Sequence, residues 1–570
     1  MTALLTDNLP LLAGAPNGIK KLRELILELA VRGKLVPQDP NDEPASGLLK
    51  RIAEEKARLV AEGKIKKTKA LPEVSEEEQF FELPIGWTWC RLQDAFDVRD
   101  GTHDTPKYQP SGYPLVTSKN LSTGKLDLND VKFISEEDHL KISARSKVDR
   151  GDILFAMIGS IGNPVVVDTD IPFSIKNVAL LKRYAPGQIS TDFLLLYLLV
   201  AAADMREKSA GGVQSFVSLG SIRLYPFAFP ALSEQHRIVA KVDELMALCD
   251  RLEARQADAE SAHAQLVQAL LDSLTQARDA EDFAQSWQRL AEHFHTLFTT
   301  ESSIDALKQT LLQLAVMGKL VPQDPSDEPA SELLKRIAEE KATLIAEGKI
   351  RKQKQLAEIT EEEKLFELAT GWEWSRLGEQ VIESGAGWSP SCEPRPREGN
   401  DWGVLKVSAV SWGVYRPEEN KALPVSLEAR PEHEVAEGDF LVSRANTAEL
   451  VARSVVVDST PSRLMLSDKI VRLRLTKLCD AHYLNLVNSA THARQYYARV
   501  AGGTSSSMKN VSREQILSLP IAVPPLPEQH RIVAKVDQLM AFCDQLKARL
   551  HQARQVHEQL ANALVEQAVA

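Results

Sequence analysis

From Ile238 onward, apolar side chains recur at Val242, Leu245, Cys249, Leu252, Ala259, Leu266 and Leu270, with Gln256 and His263 in register. Steps of four and three are the spacing of a coiled-coil seam, so the stretch predicts a long helix. At 1.5 Å per residue, Ile238 to Leu270 makes a rod of roughly 50 Å. The same stations return at Ile532, Val536, Leu539, Cys543, Leu546, Leu550, Ala553, His557, Leu560 and Leu564. Pro230 precedes the first rod, and Pro524, Pro525 and Pro527 open the second. Glu234 and Glu528 fall in the first turns, where a carboxylate favours the helix dipole. A polar helix is predicted over Leu48 to Glu62, closed by Gly63. Between these helical parts the period changes. The runs from Gly151 to Gly159 and from Ser454 to Asp458 are short, β-rich and bounded by turn residues. Each is followed by one helical stretch, Asp192 to Met205 or Ala481 to Tyr497, and then by a Gly-Gly loop. Two mixed α/β globules with curved sheets are expected.

The chain contains itself twice. Gly33–Lys56 and Gly318–Lys341 agree at 22 of 24 positions, at a constant offset of 285. The offset holds through Gly86-Trp87-Thr88-Trp89 and Gly371-Trp372-Glu373-Trp374. Ser233–Ala247 and Pro527–Ala541 agree at 13 of 15, offset 294. The segments 93–229 and 378–523 barely match, apart from framework pieces such as Gly151-Asp152-Ile153-Leu154 against Gly438-Asp439-Phe440-Leu441. One large unit is therefore used twice, with near-identical connectors around two divergent domains. The repeated tryptophans cannot encode a difference between the copies, so they read as packing residues where globule meets helix. His263 and His557 read as register or interface features.

Composition narrows the class. In a chain of 570 residues, 44% are hydrophobic and 26% charged, as in an ordinary globular protein. The longest apolar run, Phe193 to Ala203, is too short for a bilayer span, which needs about 20 residues. The N-terminus lacks the basic start of a signal peptide, and five scattered cysteines without C-x-x-C spacing fit a reducing cytoplasm. The net charge of −11 argues against nucleic acid until it is located. Segment 93–229 carries 15 basic and 16 acidic residues, and 378–523 carries 17 of each. The acidity sits in the shared helical parts, and either neutral globule could own a basic face. Known catalytic signatures are absent. There is no G-x-x-x-x-G-K-[ST] loop, no H-E-x-x-H, no nucleophile elbow and no Asn/Asp-Pro-Pro-aromatic motif.

The Gly33–Lys56 box, the G-W-x-W box and the Glu234–Leu245 helix, each present twice, resemble the DNA-specificity subunit of type I restriction–modification enzymes. The resemblance covers about residues 18–570. It implies an α+β fold, with two mixed α/β target recognition domains separated by long antiparallel coiled-coil helices in a pseudo-two-fold arrangement. The implied divisions are 1–92 (N-terminal helical), 93–229 (first recognition domain), 230–377 (central, with a long helix), 378–523 (second recognition domain) and 524–570 (C-terminal helix). Each recognition domain would read one half of a bipartite, asymmetric site on double-stranded DNA. The helices would set the spacer and dock two methyltransferase subunits, which motor–nuclease subunits join. S-adenosylmethionine, ATP and magnesium would belong to those partners, with no cofactor or metal in this chain. Two identical connectors around two different globules point the same way, since they imply two copies of one partner and two different ligands. A duplicated protein-binding scaffold remains the alternative, and an enzyme with an unrecognised site is a third reading.

Candidate DNA-reading residues are polar or aromatic side chains in turn-rich loops. In the first globule these are His103, Thr105, Lys107, Tyr108, Ser118, Lys119, Asn120, Lys176, Asn177, Gln214 and Ser215. In the second they are Trp388, Arg395, Arg397, Lys406, Trp412, Tyr415, Arg444, Asn446, Lys469, Ser505, Ser506, Ser507 and Lys509. Arg and Lys suit guanine edges, Asn and Gln suit adenine, and hydroxyls suit phosphates. The Ser118-Lys119-Asn120 stretch and the Gly502–Lys509 loop resemble family features, although Val213 breaks the loop's counterpart in the first globule.

Overall fold

A computed structural model describes residues 9–159, 161–184, 187–209, 216–277, 280–411, 413–505 and 508–569. The chain divides into two compact units, residues 1–258 with 554–570, and residues 259–553. Among the described residues no helix is long and apolar enough to cross a membrane.

Both units contain the same globule. A two-stranded antiparallel ribbon closes its base, Thr88–Arg91 with Pro226–Phe229 in the first and Glu373–Arg376 with Pro520–Val523 in the second. Above it lies a four-stranded antiparallel sheet. Its order is Phe96–Asp100, Val178–Arg183, Ile153–Ala156, Gly162–Val166 in the first unit. In the second it is Val381–Ala386, Ile470–Leu475, Phe440–Ser443, Ser454–Val456. A three-stranded sheet covers one face and a helix the other.

The alternation of side chains along a strand explains this layering. Ile153, Phe155, Ala179 and Leu181 join the core under the helix, whereas Leu154, Ala156, Val178 and Leu180 join a second core with Val116 and Ile175. Phe440 and Val442 separate from Leu441 in the same way. A strand buried on both faces must be apolar throughout, as Ile153–Ala156 is. The covering helix is continuous over Thr191–Ser209 but breaks in the second unit into Ala481–Ser489 and Thr491–Val500. Ala490 is extended there (φ −71, ψ 159). Just before the break, buried Asn488 donates to Ala452 O and to Ser454 Oγ, both at 2.8 Å.

The long helices are Leu232–Thr275 and Leu526–Val569, 44 residues each. The heptad stations are buried or partly buried through Cys249 and Cys543, Leu252, Leu546 and Leu550 beyond them are partly buried against the cores, and the register fails further along. Leu266 is 52% and Leu560 50% exposed, while Val267, Leu271, Leu274, Ala561 and Ala568 are buried. Stepped at 100° per residue, Ile238, Val242, Cys249, Val267, Leu271 and Leu274 fall within an arc of about 60°. The burial thus follows the 3.6-residue period of a straight helix, and the 3.5-residue seam slips by one residue over four heptads.

The shared boxes build one clamp twice. Trp87 Nε1 donates to Glu234 Oε2 at 2.9 Å, and Trp372 Nε1 to Glu528 Oε2 at 3.0 Å. Gln38 Nε2 donates to Gly33 O at 2.8 Å and to Glu234 Oε1 at 3.2 Å, and Gln323 does the same to Gly318 O and Glu528 Oε1 at 2.7 and 3.1 Å. Arg237 pairs with Asp42 and Arg531 with Asp327, both at 2.7 Å. Arg91 and Arg376 each bond three backbone carbonyls and one carboxylate, Glu78 or Glu363. Glu234 and Glu528 lie in the first turns of the long helices, as expected, and are also buried acceptors, and burial pushes their carboxyls above the usual range. The tryptophans are the expected packing residues, 8% and 6% exposed. The seam histidines are also paired alike. His263 Nε2 meets Thr296 O at 3.2 Å, and His557 Nε2 meets Leu11 O at 2.8 Å.

Candidate nucleic-acid interface

One backbone device brings the candidate loop tips together in both globules. In each three-stranded sheet two strands run parallel, Tyr113–Val116 beside Ser174–Ile175 and Gly403–Leu405 beside Leu464–Met465. Parallel strands release their following loops at the same end. Those loops carry Thr117–Asn120 with Lys176–Asn177, and Lys406 with Ser467–Lys469. A third strand arrives there through a glycine. Thr102 N donates to Ile175 O at 3.0 Å, and Trp388 N to Leu466 O at 2.9 Å. A Cβ on Gly101 would lie 2.2 Å from Ile175 O, and one on Gly387 1.9 Å from Leu466 O. Only glycine permits this approach.

In the first globule the device gathers a polar cluster. His103 Nε2 meets Asp100 Oδ2 at 2.9 Å and Nδ1 meets Asn177 Oδ1 at 3.0 Å. Lys176 Nζ donates to Thr105 Oγ1. Asn177 takes a left-handed backbone (φ 55), which Asn tolerates. Arg145, on the helix Glu136–Ser146, donates to Asp100 Oδ1 at 2.9 Å and to Gly101 O at 2.6 Å. Residues 102–106 and this helix, with Lys141, line a groove of ≈ 450 Å³. Lys107 and Tyr108 are exposed nearby in sequence, and Ser118 is half-buried. Lys119 is exposed and paired with Asp130 at 2.5 Å. Asn120 is different. It is 5% exposed, accepts from Thr117 N and Oγ1, and donates to Asp127 O and Asp130 O. Its amide is consumed in holding the loop, so it is withdrawn from the reading set.

In the second globule Trp388, Lys406, Arg444 and Lys469 converge. Arg444 N donates to Lys469 O at 2.8 Å, and Lys406 Nζ lies 3.3 Å from Glu419. The short strand Ala445–Asn446 pairs with Met508–Asn510, which brings Asn446 opposite Lys509. Ser505 ends the strand Gly502–Ser505 of that sheet. Asn446 donates to Ser411 Oγ at 2.8 Å, and Lys509 Nζ to Gly503 O at 2.9 Å. Two arginines are tied down. Arg395 pairs with Glu393 and Asp401, and Arg397 donates to Asp401 O. Tyr415 packs on the second core and meets Thr460 Oγ1 at 2.9 Å. It is half-buried. Gln214, Ser215, Trp412, Ser506 and Ser507 lie outside the described residues.

Matching hydrogen bonds align the two frameworks. Position by position they present Thr102 against Trp388, Thr117 against Lys406, and Asn177 against Lys469, while Arg444 takes the place of Met157, which is buried in the core. Arg145 and Arg430 were missed in the sequence. Each meets the tips only through folding, and no local motif marks either. Among the described residues no group of three His, Cys, Asp or Glu side chains could hold a metal ion.

The family described as "Type I restriction modification DNA specificity domain" matches residues 84–260 and 371–553. The chain is 45% identical over 563 residues to the type I restriction enzyme EcoEI specificity subunit of Escherichia coli, covering 97% of this chain and 94% of that one. It is 38% identical over 576 residues to the EcoAI specificity subunit of Escherichia coli, with the same coverages. A chain in a solved type I R-M system is 18% identical over 86% of this chain and 99% of its own length, with a TM-score of 0.47. On the family match and the first two relatives, this chain belongs to the specificity subunits of type I restriction–modification enzymes.

Proposed function

We propose that the chain recognises a bipartite DNA sequence for a type I restriction–modification complex, each globule reading one half. One observation carries this reading. The two globules share a backbone down to individual hydrogen bonds, yet present different chemistry at equivalent tips, Thr102, Thr117 and Asn177 against Trp388, Lys406 and Lys469. A framework kept constant under changed tips is what two readers of different sequences require. Base edges would be read by the tips, and lysines such as Lys107, Lys119, Lys469 and Lys509 would meet phosphates.

The duplicated clamps fix each globule to a long helix in the same way, so two like partners would find two like surfaces. We assign those surfaces to two methyltransferase subunits, joined by motor–nuclease subunits. S-adenosylmethionine, ATP and magnesium would act in the partners, and this chain would supply recognition without chemistry of its own. The setting is the cytoplasm.

The test is selection from random duplexes by the complex reconstituted with its methyltransferase subunit. A motif of two defined halves around a fixed spacer supports the reading. Enrichment of no motif would overturn it.

A further inference from the structure

Arg430 lies outside every motif, on the loop before the turn Pro431–His433. That loop is pinned to the three-stranded sheet of the second globule. Leu466 N donates to His433 O at 3.0 Å, Val435 N to Leu464 O at 2.8 Å, and Arg430 N meets Met465 Sδ at 3.3 Å. The pairing is antiparallel, so stepping back from His433 to Arg430 moves toward the end where Ser467–Lys469 emerge. There the guanidinium lies over the Trp388 ring, with Cζ 4.1 Å from the centroid. Trp388 is itself fixed, by its bond to Leu466 O and by packing beside Val404, Leu423 and Met465.

The stack holds the fork in place without using it. Arg430 is exposed, and among the described residues its guanidinium has no hydrogen-bond partner. Arg395 and Arg397 of the same globule spend theirs on Glu393 and Asp401. A planar guanidinium stacked on an aromatic face keeps its donors pre-organised, and the bidentate acceptor pair it matches in the major groove is guanine O6 and N7.

We propose that Arg430, held over the Trp388 ring, is a specificity-determining residue that reads one guanine in the half-site of the second globule. This rests on the DNA-reading function proposed above. The two are separable, because failure of that function leaves the wild-type complex with no motif at all, whereas failure of this inference leaves the motif intact.

The experiment is motif selection by reconstituted complexes carrying Arg430→Ala, Arg430→Lys or Trp388→Leu, with melting followed in parallel. Arg430→Ala should lower the preference for guanine by about 5- to 150-fold at one position of one half-site, leaving the other half unchanged. Trp388→Leu, which keeps apolar packing but removes the ring, should loosen the same position. Arg430→Lys keeps the charge but loses the fork, and should not restore the preference. Uniform weakening across all sequences would mark a phosphate contact and overturn the proposal. So would an unchanged motif, or relaxation at a base other than guanine.

Discussion

Replacing Gly387 with Ala tests how the tips are held. The added Cβ would sit 1.9 Å from Leu466 O and 2.2 Å from its carbonyl carbon, far inside the 3.0 Å that real Cβ contacts respect. Backbone must therefore part from backbone by about 1 Å, breaking the bond from Trp388 N to Leu466 O. Overpacking of this kind costs roughly 1–3 kcal/mol, and a backbone neighbour that cannot rotate away puts it at the upper end. At roughly 1.6 °C per kcal/mol for a unit of this size, Tm of the second unit should fall by about 5 °C. Calorimetry of the full chain reads the melting. Motif selection with the reconstituted complex reads recognition, and the second half-site alone should blur. Gly101→Ala should do the same to the first half-site, because its Cβ would lie 2.2 Å from Ile175 O. Unchanged melting and an unchanged motif in Gly387→Ala would refute the role given to this approach.

Three further outcomes follow from the same contacts. Glu234→Ala and Glu528→Ala each leave a buried tryptophan Nε1 without its acceptor, and should destabilise by about 1–3 kcal/mol in chemical denaturation. The two losses should be similar, and a large asymmetry would contradict the duplicated clamp. His492 is 5% exposed, neither ring nitrogen has a partner among the described residues, and burial lowers its pKa to about 4. A depressed histidine contributes stability above its unfolded pKa near 6.5 and loses it as pH falls toward 4, on the order of 3 kcal/mol. His492→Phe should flatten that slope in pH-dependent unfolding, and an unaltered slope would place the titration elsewhere. DNA affinity of the complex should fall steeply with salt, measured by anisotropy between about 50 and 200 mM. A flat response would count against phosphate contacts.

The clamps were legible in the sequence because their residues are repeated almost letter for letter. Trp87 and Trp372 could be assigned to packing on that ground alone. The role of Glu234 and Glu528 was not legible, since position in a first turn says nothing about what folds over it. The strands Ile153–Ala156 and Ser454–Val456 were visible as β-rich runs, but not which of two cores each side chain enters. The seam was read at a 3.5-residue period, which a straight helix leaves after four heptads, so Leu266 and Leu560 were placed inside and lie outside. Residue type alone chose the reading tips, and it cannot separate an amide that faces outward from one that staples its own loop, as Asn120 does. Arg145 and Arg430 reach the tips from distant segments and could be found only in three dimensions.

The most direct test of the account is to exchange residues 378–523 for the matching segment of a relative with a different target. The methylated motif of cells carrying the hybrid complex is then sequenced. The account predicts a new second half-site, with the first half-site and the spacer unchanged. A hybrid that alters the first half-site, or moves the spacer while both halves persist, would contradict it.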